Sequence, residues 1–355
     1  MKKFNKLVVF MLLMSMVVGM LAGCGSKDAT GQNDGASDGT KKVKVGIIAL
    51  GFGTQSFNDD VLAGIKAAEA DLNVEAMPLE VPTVSDVANS LRTLIGQGAE
   101  LLVVTTSEFK DGMLEVAEEY PDVKFLYLSE PVEGYDNVMS ILYKEHEASF
   151  LAGALAGLMT KTNKVGTVLA LGESIQYRYQ YGYMAGVKSV NPNAEVMTAF
   201  TNSYSDVGKG NEAANTMYNR GADFVGTYSG AGNLGVFQAA VDAGEGKYAF
   251  GAANGQFDKM PDKILASVVK PIDKAIYGII ENYIAGEFDT SAPQELGLKE
   301  EGVTLLYTPN EELLKIIPED IKNTMDDLVE KVKSGEIVVP STEEEFKNFS
   351  YSYSK

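Results

Sequence analysis

Short apolar runs alternate with amphipathic stretches along most of this chain, which predicts strands alternating with helices. Residues 45–50 form the first apolar run, which is typical of a strand buried on both faces of a parallel sheet. Glycines at 51 and 53 end the run, and residues 59–72 then carry apolar side chains on one helical face. We therefore predict that the folded part opens with a strand, a glycine loop and a helix.

The same alternation continues in two rounds, one up to about residue 143 and another from about residue 148. The further predicted strands are 75–81, 101–105, 123–128, 137–143, 165–171, 194–200, 223–228, 248–253, 265–269 and 303–308. The further predicted helices are 85–97, 110–120, 148–161, 175–190, 206–219, 233–243 and 272–285, with one helix or a pair over 311–333. A βαβα order predicts parallel sheets with helices on both faces.

Two features divide these elements between two lobes. A chain of 355 residues is too long for one ordinary hydrophobic core. In addition, Ser-Asp-Val opens a predicted helix at residue 85 and again at 205, and each helix ends at Gly-Ala-acid before a buried strand. This repeat favours two similar lobes over one large sheet.

The first 24 residues have the features of a signal peptide. Three lysines precede an apolar stretch over 7–20, which is too short to span a bilayer comfortably. Leu-Ala-Gly-Cys then resembles a bacterial lipobox, in which Cys24 is lipidated; ordinary cleavage that leaves a free cysteine is the alternative. Residues 25–40, rich in Gly, Ser and Asp, are predicted to form a flexible tether between membrane and lobes.

Charge and cysteine content narrow the class of protein. The formal net charge is −19, and so acidic a surface repels phosphate groups, so we expect no nucleic-acid partner. Cys24 is the only cysteine, which excludes a disulfide within the chain.

The chain lacks the residue sets of common enzymes. His146 is the only histidine, and its two glutamate neighbours do not share a helical face with it, so we interpret it as a solvated or hinge-region residue. A Gly-x-Ser-x-Gly elbow and a Walker phosphate loop are both missing from the sequence. The run Gly230-x-Gly232-x-x-Gly235 matches a dinucleotide loop, but no acid follows the next strand, so we expect the Gly232 backbone to meet a different ligand. We predict a binding protein without metal or cofactor.

Polar and aromatic side chains follow the predicted strand ends, where ligands bind in open α/β sheets. Phe52, Ser56, Phe57 and Asn58 come after the first strand and offer a π face and hydrogen-bonding groups, which suits a flat polar molecule. The alternative is that Phe57 only packs the loop onto the helix. Two further candidates near strand ends are Ser107 and Asn254.

Several short motifs share their order and spacing with a known family. They are Val45-Gly46 leading to Ser56-Phe57-Asn58, Ser149-Phe150-Leu151-Ala152-Gly153, Gly182-Tyr183-Met184-Ala185-Gly186-Val187-Lys188, Gly221-Ala222-Asp223, Ala231-Gly232-x-x-Gly235-Val236 and Ser267-Val268-Val269-Lys270. Together they make the chain similar to the basic membrane protein (BMP) family of lipoproteins, the purine-nucleoside-type substrate-binding components of ABC transporters. The resemblance runs from the lipobox to about residue 305.

The resemblance implies a type 1 periplasmic-binding-protein fold, in which two doubly wound parallel-sheet α/β lobes close on a ligand. Three crossovers would join the lobes, near Lys144, Lys270 and Gly302. The implied boundaries are 41–145 for lobe 1, completed by about 270–302, and 146–269 for lobe 2, completed by about 303–341. Residues 342–355 are predicted to be a polar tail.

For the ligand site, the resemblance implies a purine stacked between aromatic rings. Phe57 would be one ring, with Asn58 beside it. Tyr228 would supply the ring from the second lobe, and Lys270 would lie near the sugar.

The chain departs from the family where carboxylates are expected. The family usually has Asp at the positions that are Leu50, Ala253 and Gly255 here. Each lost charge-assisted contact is worth about 1.5–3 kcal/mol, so a ribonucleoside must be held by other groups or the ligand differs. Tyr177, followed by Arg178 and another tyrosine, offers polar and aromatic side chains that would line the ligand site instead. The alternative is that these residues form an exposed helix start.

These observations predict a lipid-anchored solute-binding protein on the extracytoplasmic face of the cell membrane. It would pass a small polar or aromatic, nucleoside-like ligand to ABC permease subunits. We expect a monomer whose lobes close without making or breaking a covalent bond. The alternative is a ligand-responsive sensor or regulatory lipoprotein that acts on a membrane signalling partner.

Overall fold

Two six-stranded sheets organise the computed structural model, which describes residues 41–53 and 57–353. The predicted signal peptide, Cys24, the tether and Ser56 lie outside the described residues. The chain divides after Thr40, and residues 41–355 form one unit that contains the three apolar cores found in the described part. Because these cores lie within it, we expect this unit to fold on its own.

The first sheet forms lobe 1, and its strands are parallel. They are β1 (Val43–Ala49), β2 (Val74–Glu80), β3 (Leu101–Val104), β4 (Lys124–Tyr127), β5 (Val138–Tyr143) and β11 (Gln294–Leu296), numbered in chain order. The spatial order is β11-β5-β4-β3-β1-β2. β1 lies between two strands and is buried on both faces, which explains its unbroken apolar run. The sequence pattern missed β11 because the strand has only three residues, two of them polar.

The second sheet forms lobe 2 and repeats this plan. Its strands are β6 (Lys164–Leu169), β7 (Glu195–Phe200), β8 (Phe224–Tyr228), β9 (Tyr248–Gly251), β10 (Ile264–Val269) and β12 (Thr304–Tyr307). The spatial order is β12-β10-β9-β8-β6-β7. Its other neighbouring pairs are parallel, whereas β12 pairs with β10 in the antiparallel direction. The predicted fold class of two parallel-sheet lobes is therefore confirmed, with this one edge strand reversed.

The helices lie at the predicted places, except the last one, which forms in the segment predicted to be a polar tail. They are α1 (Phe57–Asp71), α2 (Val87–Gly96), α3 (Lys110–Glu119), α4 (Glu145–Met159), α5 (Ser174–Val190), α6 (Val207–Asn219), α7 (Asn233–Asp242), α8 (Ile272–Ile284), α9 (Glu311–Leu314), α10 (Glu319–Lys333) and α11 (Glu343–Asn348). The region predicted as one helix or a pair is a pair, α9 and α10, because Pro318 begins a new helix. Within residues 41–53 and 57–353, no helix combines the length and apolar character needed to cross a bilayer.

The chain passes between the lobes three times. The passages connect β5 to α4, β10 to α8, and β11 to β12. α8 packs on α1 of lobe 1, while α4 packs on α5 of lobe 2. Residues that follow β5 and β10 therefore lie where the two lobes meet.

The carboxyl-terminal residues, predicted to be a polar tail, contain α11 and a set of packed aromatic rings. Phe349 meets Phe150 edge-on, with the ring centroids 6.4 Å apart. Lys188 Nζ donates to the Phe349 carbonyl at 3.0 Å, and the Tyr353 N–H donates to the Ser189 carbonyl at 2.7 Å. The segment thus runs along α5 as part of lobe 2. Its sequence looked polar because the aromatic residues are interspersed with Ser, Lys and Asn.

Candidate functional site

The two lobes touch each other across a cleft at the carboxyl ends of their strands. Ser107, which follows β3 of lobe 1, donates its hydroxyl to Glu173 Oε2 at 3.3 Å, and Glu173 follows β6 of lobe 2. Asn254, after β9 of lobe 2, donates its side-chain amide to Asp60 in the first turn of α1. These two hydrogen bonds define the cleft between the lobes as the candidate site.

Aromatic rings surround the ammonium group of Lys270, which follows β10 at the junction of the lobes. Lys270 Nζ lies 4.6 Å from the centroid of the Phe57 ring. It lies 5.2 Å from the Tyr143 ring and 5.9 Å from the Tyr179 ring. Such distances allow cation–π attraction. The structure therefore brings together Phe57 and Lys270, two of the predicted ligand-binding residues, from distant parts of the sequence.

A buried ion triad fixes Lys270 in this position. Glu145, only 2% exposed, accepts from Arg178 Nε at 2.6 Å and from Lys270 Nζ at 3.2 Å. Burial disfavours the charged carboxylate, but Lys270 and Arg178 outweigh it and hold the pKa of Glu145 below its ordinary value. The three residues come from α4, α5 and the β10–α8 connection, so the triad ties two of the three passages between the lobes.

Tyr228, the predicted ring from lobe 2, lies in the core rather than at the cleft surface. It is 3% exposed and stacks on Tyr179 with ring centroids 4.2 Å apart. Its hydroxyl lies 3.3 Å from the Ser149 hydroxyl. Tyr179 thus covers one face of Tyr228, and Tyr179 is the lobe 2 ring that lies near Lys270.

The loop after β1 is held by side chains of α1 and β2. Asn58 Nδ2 donates to the Gly51 carbonyl at 3.2 Å, and the Phe52 N–H donates to Glu80 Oε1 at 3.1 Å. Phe52 is half-buried against an apolar core that contains residues of both lobes. Asn58 therefore has a structural role in the loop, and its predicted ligand contact stays a prediction.

The loop after β9 presents Asn254 to the opposite lobe. Ala253 has φ of 55° and Gly255 has φ of 101°, so the chain turns through the left-handed region on both sides of Asn254. Gln256 Oε1 braces the turn by accepting from Asn233 Nδ2 at 3.0 Å and from the Ala252 N–H at 3.3 Å. The side chains at 253 and 255 cannot accept hydrogen bonds as the family aspartates would.

Gly232 and its neighbouring glycines serve helix packing. The Gly232 N–H donates to the Ser229 carbonyl at 3.1 Å, so this group already has a partner within a turn. A Cβ on Gly235 would lie 2.0 Å from the Val207 carbonyl oxygen, which shows how closely α7 approaches α6. The glycine pattern therefore has a packing explanation that does not involve a nucleotide.

Tyr177 faces a different space from Phe57. It lines a groove with a volume of about 1250 Å³ between residues that follow β5 and the carboxyl-terminal segment. Neither Phe57 nor Asn254 lines this groove. The Tyr177 ring lies 6.0 Å from that of Phe200. The structure thus separates Tyr177 from the cleft cluster.

His146 lies at the start of α4, beside the passage from β5, and is partly buried. Its Nδ1 is buried and has no hydrogen-bond partner among the described residues. Burial lowers the pKa of His146 to about 4, so the ring is neutral near pH 7. The structure places His146 at the hinge, with its Nδ1 buried and another part of the residue lining a groove.

Three carboxylates of the site were not selected by sequence reasoning: Asp60, Glu145 and Glu173. Asp60 comes two residues after Asn58, with Asp59 between them, and an acid in the first turn of a helix is common. Glu145 meets its partner Lys270 only through the fold, at a separation of 125 residues. Burial first, and then the carboxylates of Asp273 and Asp59, raise the pKa of Asp60 to about 7, although Lys270 opposes the shift.

Comparisons with known sequences agree with this architecture. The Bmp family model, described as "ABC transporter substrate-binding protein PnrA-like", matches residues 42–343. Basic membrane protein A of Borreliella burgdorferi is 27% identical, over 97% of this chain and 98% of that protein. The CD4+ T-cell-stimulating antigen of Listeria innocua is 28% identical, over 93% of this chain and 98% of that protein.

A solved structure gives the same result for the fold. The solute-binding protein of an ABC transporter system from Aeropyrum pernix superposes with a TM-score of 0.76 at 24% identity. The match covers 86% of this chain and 96% of that one. At this identity the likeness shows the fold, which is the two-lobed arrangement described above.

Proposed function

Because the chain belongs to the Bmp family of PnrA-like ABC transporter substrate-binding proteins, we propose that it binds a small, flat, nucleoside-like solute between its lobes and delivers it to the permease of an ABC importer. A substrate-binding protein of this family is not an enzyme, so its work is to close on a ligand and release it. We further propose that Cys24 anchors the chain by lipid on the extracytoplasmic face of the membrane, and that the chain acts as a monomer.

One observation carries the ligand proposal: Phe57 of lobe 1 and Lys270 at the hinge lie together beside the contact between Asn254 and Asp60. This cluster offers an aromatic face, a positive charge, an amide and a carboxyl group within one cleft. A flat solute with hydroxyl or ring-nitrogen groups can use each of them. Because the side chains at Leu50, Ala253 and Gly255 cannot replace the family carboxylates, Asp60 is the carboxyl group that we expect such a ligand to meet.

A thermal-shift screen of residues 41–355 tests the ligand class. Nucleosides, nucleobases, sugars and amino acids are added separately, each at a concentration well above the protein. A ligand present at 100 times its dissociation constant is expected to add about 2.7 kcal/mol to the free energy of unfolding. Stabilisation by sugars or amino acids, with none by nucleosides or nucleobases, would refute the nucleoside-like assignment.

Phe57→Ala is expected to weaken binding of the solute found in that screen by roughly 10- to 100-fold, because stacking on an aromatic ring contributes about 1–3 kcal/mol. Isothermal titration calorimetry on residues 41–355 measures the change. Tyr277→Ala is the matched control, since Tyr277 lies on α8 near Asp71, at the opposite end of α1 from Phe57. Equal affinity in the wild type and the Phe57 variant would place the ligand elsewhere.

Cys24→Ser is expected to release the chain from the membrane fraction, because the serine cannot carry the thioether-linked lipid. Fractionation of cells that express the full chain, with and without the substitution, measures the distribution. A variant that stays with the membrane fraction as the wild type does would argue against the lipid anchor.

A further inference from the structure

The carboxyl group of Asp60 occupies an unusual position at the contact between the lobes. It is 8% exposed and lies one helical turn after Phe57. Asn254 of lobe 2 donates a hydrogen bond to it, but a neutral amide cannot compensate a negative charge as a cation would. The charge state of Asp60 is therefore set by the groups around it.

Most of the charged groups near Asp60 are carboxylates, which repel a negative charge on Asp60. On its own helix α1 the neighbour is Asp59, and on α8 it is Asp273. The helices are in close contact here, because a Cβ on Gly64 would lie 2.5 Å from the Asp273 carbonyl oxygen. Lys270, on the β10–α8 connection, is the cation that acts on Asp60, but its ammonium is hydrogen-bonded to Glu145 at 3.2 Å. An ionised Asp60 is thus poorly compensated in the closed cleft.

Opening the cleft changes this environment. Asn254 belongs to lobe 2 and Asp60 to lobe 1, so separating the lobes breaks their hydrogen bond and admits water to the carboxyl group. A hydrated carboxylate returns toward the ordinary aspartate pKa, near 3.9. A metal ion is not the obvious compensation, since the described residues contain no group of three His, Cys, Asp or Glu side chains placed to hold one.

We propose that closure of the two lobes is coupled to protonation of Asp60, so that the cleft takes up one proton from solvent each time it closes. The carboxylate becomes a carboxylic acid, and no other bond forms or breaks except the Asn254 contact. This goes beyond the proposed function, since it concerns the lobes with or without a solute.

The sign of the pH dependence follows from linkage. Asp60 has the higher pKa, about 7, in the closed form, so protons favour closure. The stabilisation of the closed form is fully present below the pKa of the open form and is lost as the pH rises through about 7. His146, with a pKa of about 4, stays neutral between pH 5.5 and 8.5 and does not contribute.

The test measures lobe separation in residues 41–355 without any ligand, so its failure is distinguishable from a wrong ligand class. Cys24 is the only cysteine, and this unit therefore contains none. Val84→Cys and Val207→Cys place one spin label on each lobe, at positions that are 49% and 41% exposed. Pulsed electron-paramagnetic-resonance distances then give the ratio of closed to open molecules. Lowering the pH from 8.5 to 5.5 is expected to raise that ratio about 30-fold.

Three further substitutions, each in the doubly labelled background, identify the responsible group. Asp60→Asn supplies a neutral side chain of the same shape and is expected to abolish the pH response. Asp273→Asn removes one repelling charge and is expected to move the transition to lower pH. Glu173→Ala removes the other cross-cleft contact, and should open the cleft at both pH values while leaving the response intact.

Identical distance distributions at pH 5.5 and 8.5 in the otherwise wild-type unit would overturn the proposal. So would a full pH response that persists in Asp60→Asn, or one that disappears in Glu173→Ala. If Asp60→Asn fails to fold, the direction of the shift in Asp273→Asn decides: an unshifted transition overturns the proposal as well.

Discussion

Replacing Glu145 with glutamine is expected to lower the free energy of unfolding by about 3–5 kcal/mol, because it leaves Arg178 and Lys270 as buried, uncompensated cations. The amide keeps the shape of the side chain but not its charge. Urea denaturation of residues 41–355 at pH 7 measures the loss. Since the pKa of Glu145 is held below 4.5, the carboxylate stabilises the fold above that pH, and the difference from the variant is expected to shrink as the pH falls further.

Glu295→Gln is the matched control for this prediction. Glu295 Oε2 lies 3.0 Å from Lys144 Nζ, also near the hinge, but the Glu295 side chain is 56% exposed. Exposed ion pairs contribute about 0–1 kcal/mol, so a change within that range is expected. Similar losses in the two variants would show that burial of Glu145 does not set the strength of the triad.

Gly153→Ala is expected to cost about 3 kcal/mol or more, because there is no space for a methyl group between α4 and α5. A Cβ at this position would lie 2.0 Å from the carbonyl oxygen of Tyr183. That oxygen belongs to the backbone of a helix, so relief requires the two helices to separate rather than a side chain to rotate. Thermal and urea unfolding of residues 41–355 measure the effect.

Gly278→Ala serves as the control for the added methyl group. Gly278 lies in α8, and no atom lies within 4 Å of the Cβ position. Because alanine is the better helix former, this substitution is expected to stabilise the chain by about 0.5–1 kcal/mol. If both variants were stabilised, the close approach of α4 and α5 would be less tight than the structure shows.

The ion triad and the packing of α4 on α5 stabilise the passages that connect the two lobes. α4 and α5 pack closely within lobe 2, and Glu145 at the start of α4 holds Lys270 on a second passage between the lobes. Phe57 lies against that same lysine from lobe 1. A ligand at the proposed site would therefore act directly on the hinge by displacing or joining Phe57. This is a short physical route from binding to closure.

The candidate site was only partly visible in the chain. Phe57 and Asn254 come after strand ends, which made both candidates, and the family resemblance added a stacking role for Phe57. Tyr228 is the last residue of β8, yet it is buried under Tyr179, because strand position does not tell which side chain reaches the surface. Asp60 gave no local signal, since its partner Asn254 is 194 residues away.

The sequence by itself determined the order of strands and helices, the two-lobed class and the absence of common catalytic sets. The order of elements and the two-lobed class depend on the periodicity of apolar residues along the chain, and the catalytic sets depend on which residue types are present. Only the tertiary structure decided that β12 runs antiparallel, that the carboxyl-terminal aromatic rings pack on lobe 2, and that Glu145, Arg178 and Lys270 form one triad. Each of these depends on which distant segments meet, and burial then sets the strength of the resulting charge interactions.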